Sequence, residues 1–404
     1  MSGRRALALP LLLAISCSPR GTARPVEVVF WQSWPLERIE PLARGFEAEN
    51  PGIRVRVERL PAMGATDSLA QAVASGRPPD LCELDRSQAA QFMTRGWLSD
   101  WSAGVADMRP GLIGWELCQF GDAIYGLPWL LRTRVLFYNR TLLARAGLDS
   151  ASGPATWTQL RAAALRLNRP GQGIHGYGLA SGKGERFAAF MPYAWGNGGD
   201  MLSARLDSSR FDSPENVKAL TFLVSLLPAA LLAPEDSLVR EFARGRLGFL
   251  LADAGVAVEL SRTPGLRHGV DLVPQPAPDS GSHLSLGTGS VLASFTRSRH
   301  KEDALRFARY LLQSRNSLPL AAALEGVFPS EPGAAEEPEY RDRPDTHRFL
   351  QQLEASRFGP IHRDAMEMEA AVDSLVGDAL VRRCTPRQAA AAADSLIRRL
   401  GVPG

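Results

Sequence analysis

Lysine is almost missing from this chain. Of 46 basic residues, three are lysines (Lys183, Lys218 and Lys301), and the rest are arginines. They are interspersed with 43 acidic residues for a formal net charge of +3. No basic stripe forms of the kind a nucleic-acid face requires, so a nucleic-acid partner is excluded. Cysteine is scarce as well, at four in 404 residues. There is no Cys-x-x-Cys, and the six histidines are scattered, so neither a zinc site nor any other metal or cofactor is expected. Long apolar runs are lacking. ALALPLLLAI (residues 6–15) is too short to span a bilayer, and no later segment is longer and equally apolar. Catalytic signatures are absent too. No Gly-x-Ser-x-Gly or His-Glu-x-x-His occurs, and GLASGKGER lacks the spacing and the Ser/Thr of a phosphate-binding loop. Paired carboxylates of a carbohydrate-active enzyme stay open, because their separation is invisible in sequence.

What remains is an ordinary soluble composition, 45% hydrophobic and 22% charged, with enough length for two domains or one two-lobed body. The N-terminus begins MSGRR, then the apolar run, then Ser16-Cys17. This order fits export. The small residue before Cys17 resembles the lipobox of bacterial lipoproteins, which implies cleavage before Cys17 and a lipid on its thiol. Cleavage there removes Arg4 and Arg5 and lowers the formal charge to +1. Cys82, Cys118 and Cys384 then remain. Outside the cytoplasm this odd count permits one intramolecular disulfide, Cys82–Cys118, or three free thiols.

Strand and helix patterns alternate along the chain. Residues 26–34 read as a strand, LERIEPLARGFEAE as a helix, and IRVRVERL as a second strand. A short strand LCEL, a helix over 87–95, and separate strands at 124–129 and 135–138 follow. Thr156 is placed to cap WTQLRAAALRLN, and Ser213-Pro214 to open another helix. Further strands are expected at 247–251, 270–273 and 289–295, and helices at 301–312, after 346, and from Thr385-Pro386. The alternation predicts an α/β fold, with ligands beyond the carboxyl ends of strands. VVFWQSW (residues 28–34) ends a strand with two indoles at such a rim, where a binding site rather than a core would want them.

Several stretches together resemble the family 1 extracellular solute-binding proteins of ABC importers, the sugar-binding, maltose-binding-protein-like group. They are VVFWQSW with FEAENPGIRVRV; RPPDLCELD; IYGLPWLLRTRVLFYNRTLLARAGLD with PATWTQL; WGNGGDML with FDSPENVKALTFL; and VPQPAP with KEDALRFARYLLQS. All five fall in family order. The resemblance implies a type II two-lobed binding-protein fold, each lobe a mixed sheet flanked by helices, with the ligand in the interlobe cleft. Residues 1–24 would be signal peptide, lipobox and tether. Lobe 1 would span 25–135 and 287–329, and lobe 2 would span 136–286 and 330–404. The chain would cross between lobes near 135–138, 286–291 and 327–330.

A sugar site needs flat rings for C–H faces and planar polar groups for hydroxyls. The resemblance places Trp31 and Trp34 as platforms on the first lobe, with a ring packed under the first helix as the alternative. Gln32 lies between them. Asp85 belongs at the crevice edge, or is the cap of the helix after it. Trp129 follows the ligand-facing Gly-Leu-Pro turn. Trp195 supplies the second-lobe platform, with Asn197 and Gly198 in the turn beyond it and Asp200 fixing it. Val256 stands where the family often has a stacking tryptophan, and Asp253 compensates with a polar contact. Gly287-Thr288-Gly289 replaces the usual Gly-Gly. The implied protein is no enzyme. It is a lipid-anchored monomer on the periplasmic or extracellular face of a bacterial membrane. It captures a mono- or oligosaccharide by hinge closure and delivers it to ABC permease subunits. A polyol phosphate held by Arg86, Arg132 or Arg134 is the other cargo this fold admits, and presentation of solute to a sensory receptor is the other role.

Overall fold

The structure, a computed structural model, describes residues 24–61, 64–262, 270–359 and 361–400. The leader and Cys17 lie outside the described residues. The strands are β1 (Val26–Gln32), β2 (Ile53–Arg59), β3 (Leu81–Asp85), β4 (Gln119–Phe120), β5 (Ala123–Ile124), β6 (Leu127–Asn139), β7 (His175–Ala180), β8 (Ala230–Ala233), β9 (Leu247–Asp253), β10 (Val270–Val273), β11 (Ser285–Ala293), β12 (Phe328–Pro329) and β13 (Ser356–Phe358). β4 and β5 form a hairpin of their own.

The large sheet has the order β2-β1-β3-β11-β6-β9-β7-β8. β6 is its axis. The two strand segments expected at 124–129 and 135–138 fuse into this single 13-residue strand. Its first half, Leu127–Thr133, pairs with β11, and Phe328 and Pro329 of β12 pair with Leu131 and Leu130. Its second half pairs with β9 from Arg134 and with β10 up to Asn139. One strand therefore belongs to two half-sheets, and its partners change between Thr133 and Arg134. The first half-sheet carries the parallel unit β2-β1-β3. β11 runs antiparallel to both β3 and β6. It lies tight on β6 at Gly289, where an added Cβ would sit 2.6 Å from a Leu131 methyl and 2.7 Å from the Leu130 carbonyl oxygen. The second half-sheet is parallel from β9 through β7 to β8.

The chain continuously buries Phe30, Phe46, Phe307 and Trp129 on the first side and Trp157, Tyr193, Phe222 and Phe137 on the second. Trp157 is the core anchor of its helix, stacked on Phe222 at 4.4 Å between centroids. The helix caps follow the sequence. Thr156 and Thr385 each form a capping box with the glutamine three residues on, and the Ser213 hydroxyl accepts from Asn216 N–H. Pattern reading missed β7, whose glycines dilute a strand signal, and the helix Arg186–Gly196, whose all-round apolar sequence RFAAFMPYAWG has no polar stripe.

The Cys82–Cys118 disulfide does not form. Both thiols are free and buried, and burial pushes both well above the usual thiol range. Cys82 is locked in β3, where its Sγ–H donates to the Glu83 carbonyl, and Cys118 follows the turn Trp115–Leu117. Among the described residues no helix is long and apolar enough to cross a membrane, and no group of three or more His, Cys, Asp or Glu is poised to hold a metal.

Candidate functional site

β1 and β3 run parallel, and Asp253 at the carboxyl end of β9 pairs with Arg134 in the middle of β6, where the two half-sheets meet. Two walls meet there. The first is the N-terminal turn of the helix Arg86–Thr94, which starts where β3 stops. Asp85 caps it, accepting from Gln88 N–H at 2.8 Å and from the Ser87 hydroxyl at 2.7 Å. Gln88 Oε1 returns the bond to Asp85 N–H at 2.9 Å. This box fixes the direction in which Arg86, Ser87 and Ala90 face.

The second wall is built by the turn after β7 and by two helices, Arg186–Gly196 and Ala365–Leu380. Asp373 joins them. One of its carboxylate oxygens accepts from Arg186 N–H at 2.8 Å and Phe187 N–H at 3.2 Å, and the other from Arg186 Nη1 at 3.0 Å. It thus satisfies two N–H groups that have no partner within the helix. Glu185 braces the turn, accepting from Gly182 N–H and Glu235 N–H, each at 3.0 Å.

Between the walls lies a cavity of about 580 Å³, in the size range of small-molecule sites. Arg86, Ser87 and Ala90 line it from one side. Lys183, Gly184, Arg186 and Phe187, with residues from Ala365 to Ser374, line it from the other. Arg86 and Glu369 form an ion pair across it. The lining is mostly charged and small aliphatic. Phe187 is its one aromatic residue, and that ring is buried.

Of the residues that the sequence singled out, Arg86, named for a phosphate, lines this cavity, and none of those named as sugar contacts does. Trp129 is corrected most sharply. Expected as a cleft platform, it is 1% exposed and packs edge-on against Phe30 at 6.0 Å. The strand register aims it into the first core. Trp195 is 3% exposed, and the Arg357 guanidinium covers its ring at 5.4 Å. Its Nε1–H donates to Asp200 at 3.0 Å, and Asp200 also pairs with Arg357 at 2.8 Å. That ring has no open face. Gln32 is fully buried. Its Oε1 accepts from Trp34 N–H at 2.5 Å, and its Nε2 has no partner among the described residues.

Trp31 and Trp34 are half-buried at the end of β1 and held by carboxylates. Trp31 Nε1–H donates to Glu58 on β2 at 2.5 Å, and Trp34 Nε1–H donates to Glu83 at 2.8 Å. Asn197 ends the helix Arg186–Gly196 and donates to the Glu215 carbonyl at 2.8 Å. Gly198 follows in a turn at φ +85°, where a side chain would be strained. Asp253 caps the helix Ala254–Ser261, accepting from Gly255 N–H at 2.8 Å. Asp85, as described, is also a cap.

Sequence reasoning missed Glu83, Lys183, Arg186, Glu369 and Asp373. Glu83 had a signal, an acid inside the apolar strand LCELD. It accepts from Ser33 N–H at 2.8 Å as well as from Trp34, and burial pushes its carboxyl above the usual range. Among the arginines named for a phosphate, Arg86 is paired with Glu369. Arg134 donates to Glu235 and to the Leu251 carbonyl, each at 2.8 Å. Arg132, also on β6, is half-buried, and its side chain forms no hydrogen bond or ion pair among the described residues.

A family model described as bacterial extracellular solute-binding protein matches residues 35–316. A lipoprotein of Streptomyces antibioticus is 27% identical over 82% of this chain and 77% of its own length. The mannitol-binding protein of Pseudomonas aeruginosa is 30% identical over 55% of this chain and 50% of its own. The cyclic alpha-maltosyl-1,6-maltose binding protein of Arthrobacter globiformis superposes with a TM-score of 0.85 at 22% identity, over 94% of this chain and 100% of that one. The two-lobed α/β fold is shared with it.

Proposed function

The chain belongs to the bacterial extracellular solute-binding proteins, and from this premise we propose that it is a receptor that captures a carbohydrate between its lobes and delivers it to an ABC importer. The observation that carries this reading is the 580 Å³ cavity whose two walls come from different half-sheets. A solute bound there touches both walls at once, so binding and closure are coupled. The polar groups of Arg86, Ser87, Lys183 and Glu369 match ring hydroxyls, and Ala90, Met366 and Ala370 offer apolar surface to C–H faces. The similarity to mannitol- and maltosyl-maltose-binding proteins supports a polyhydroxy solute.

In this reading the lobes comprise 25–135 with 287–329, and 136–286 with 330–404. Cys17 carries a lipid after export, the mature chain is a monomer, and membrane permease subunits recognise the closed form. Similarity to a lipoprotein supports the anchor. The receptor performs no chemistry on its solute.

The test is a thermal-shift and calorimetric screen of the mature chain against mono- and oligosaccharides, sugar alcohols and amino acids. A ligand that binds only the native state raises the melting temperature by mass action. Carbohydrates should shift it and be recovered unchanged. A response confined to amino acids would sink the reading.

A further inference from the structure

The cavity holds three cationic side chains, Arg86, Lys183 and Arg186, and two acidic ones, Glu369 and Asp373. The acids are already committed. Glu369 is paired with Arg86, and Asp373 with Arg186 and the two N–H groups behind it. The neighbouring Glu185 is turned away, bonded to Gly182 and Glu235. Lys183 is left over. It is exposed at the cavity mouth and forms no hydrogen bond or ion pair among the described residues. The cavity also has no exposed aromatic ring on which a neutral sugar could stack.

From this arrangement we propose that the cavity selects a carbohydrate carrying one anionic group, a carboxylate or a phosphate, with Lys183 as its specificity-determining partner. This rests on the receptor reading above. The excess of one positive charge is what a carboxylate balances and what a phosphate, at about −1.5 to −2, more than balances, and a neutral sugar leaves it unanswered. An ammonium on a short turn is suited to the task. It is a compact charge on a flexible stem that can follow an anion as the walls close. The arginines, held in fixed pairs, shape the cavity and meet hydroxyls.

The experiment is isothermal calorimetry on the mature chain with matched probes: glucose against glucuronate and glucose 6-phosphate, and galactose against galacturonate. The native protein is compared with Lys183→Ala and Lys183→Arg. Lys183 lies in an exposed turn, so neither change should alter the melting temperature of the unliganded protein. At least one acidic sugar should bind about tenfold or more tighter than its neutral parent, the scale of one charge-assisted hydrogen bond. The Lys183→Ala variant should lose that preference, binding the acidic sugar no tighter than its neutral parent, and Lys183→Arg should retain most of it. Which of uronate and phosphate responds identifies the anion. Equal binding of neutral and acidic sugars, or a preference that survives Lys183→Ala, overturns the proposal and leaves the carbohydrate receptor standing. If no sugar of either kind binds the folded protein, both fall together.

Discussion

Arg86 and Glu369 bind each other across the cavity, although 283 residues separate them in the chain. Arg86 stands on the helix that follows β3, and Glu369 on the helix Ala365–Leu380 of the opposite wall. Both side chains are about 20% exposed, so their attraction is only partly screened by water. Glu369→Gln should loosen closure. Small-angle scattering of the unliganded variant should show a larger radius of gyration. Affinity for the solute should fall about three- to tenfold, on the scale of ~1 kcal/mol. High salt should reproduce the effect in the native protein and add little in the variant. An unchanged radius and affinity would show that the pair does not bridge moving parts.

Trp129→Ala separates core from cleft. The ring is buried against Phe30, so its loss should cost about 3–5 kcal/mol of stability in denaturant unfolding. Under conditions where the variant is folded, solute affinity should stay within about twofold, far below the tenfold that marks a lost contact. A stable variant that no longer binds would return this indole to the site.

Glu83 gives a pH prediction. Burial raises its carboxyl in the folded protein above the ordinary value, so the folded state holds that proton more firmly than the unfolded chain. Its contribution is therefore full below the ordinary carboxyl range and is lost as pH rises through the raised value. Between pH 4 and 7 the native protein should lose stability relative to the Glu83→Gln variant, measured as melting temperature. A constant gap would show that the hydrogen bonds from Ser33 and Trp34 balance burial, and a gap that moves the other way that they outweigh it.

Asp373→Ala removes the acceptor for Arg186 N–H, Phe187 N–H and the Arg186 guanidinium. Leaving these donors unanswered should cost about 2 kcal/mol or more. Hydrogen exchange should quicken at the first turn of the helix Arg186–Gly196 and remain slow in β1–β3. Uniform exchange across both half-sheets would mean that the damage is not local.

The fold was readable because its cues are local. The strand LCELD, the Thr156 and Thr385 caps and the helix after Ser213-Pro214 are each written in a few adjacent residues. The cavity was not, because its members are far apart in sequence. Lys183 sits in a turn without a motif and Arg186 opens the helix after it, and Glu369 and Asp373 lie on one face of a helix whose partner is chosen by packing. The tryptophans misled for a related reason. Trp129 and Trp195 sit near strand and helix ends, where ligand contacts and core anchors look alike. The difference lies in what covers the ring, Phe30 in one case and Arg357 in the other, and both come from elsewhere in the chain. Trp31 and Trp34 do reach the rim, but carboxylates on β2 and β3 hold their N–H groups.

Because β6 passes unbroken from one half-sheet to the other, neither half owns a complete set of strands. A cut at the Thr133–Arg134 bond would deprive both pieces of an inner strand, whereas a cut in an exposed loop would spare them. The two halves are thus not separable modules that could be exchanged with those of a relative by simple splicing. A functional chimera has to take β6 whole, together with the β11 segment that fits so closely over it at Gly289.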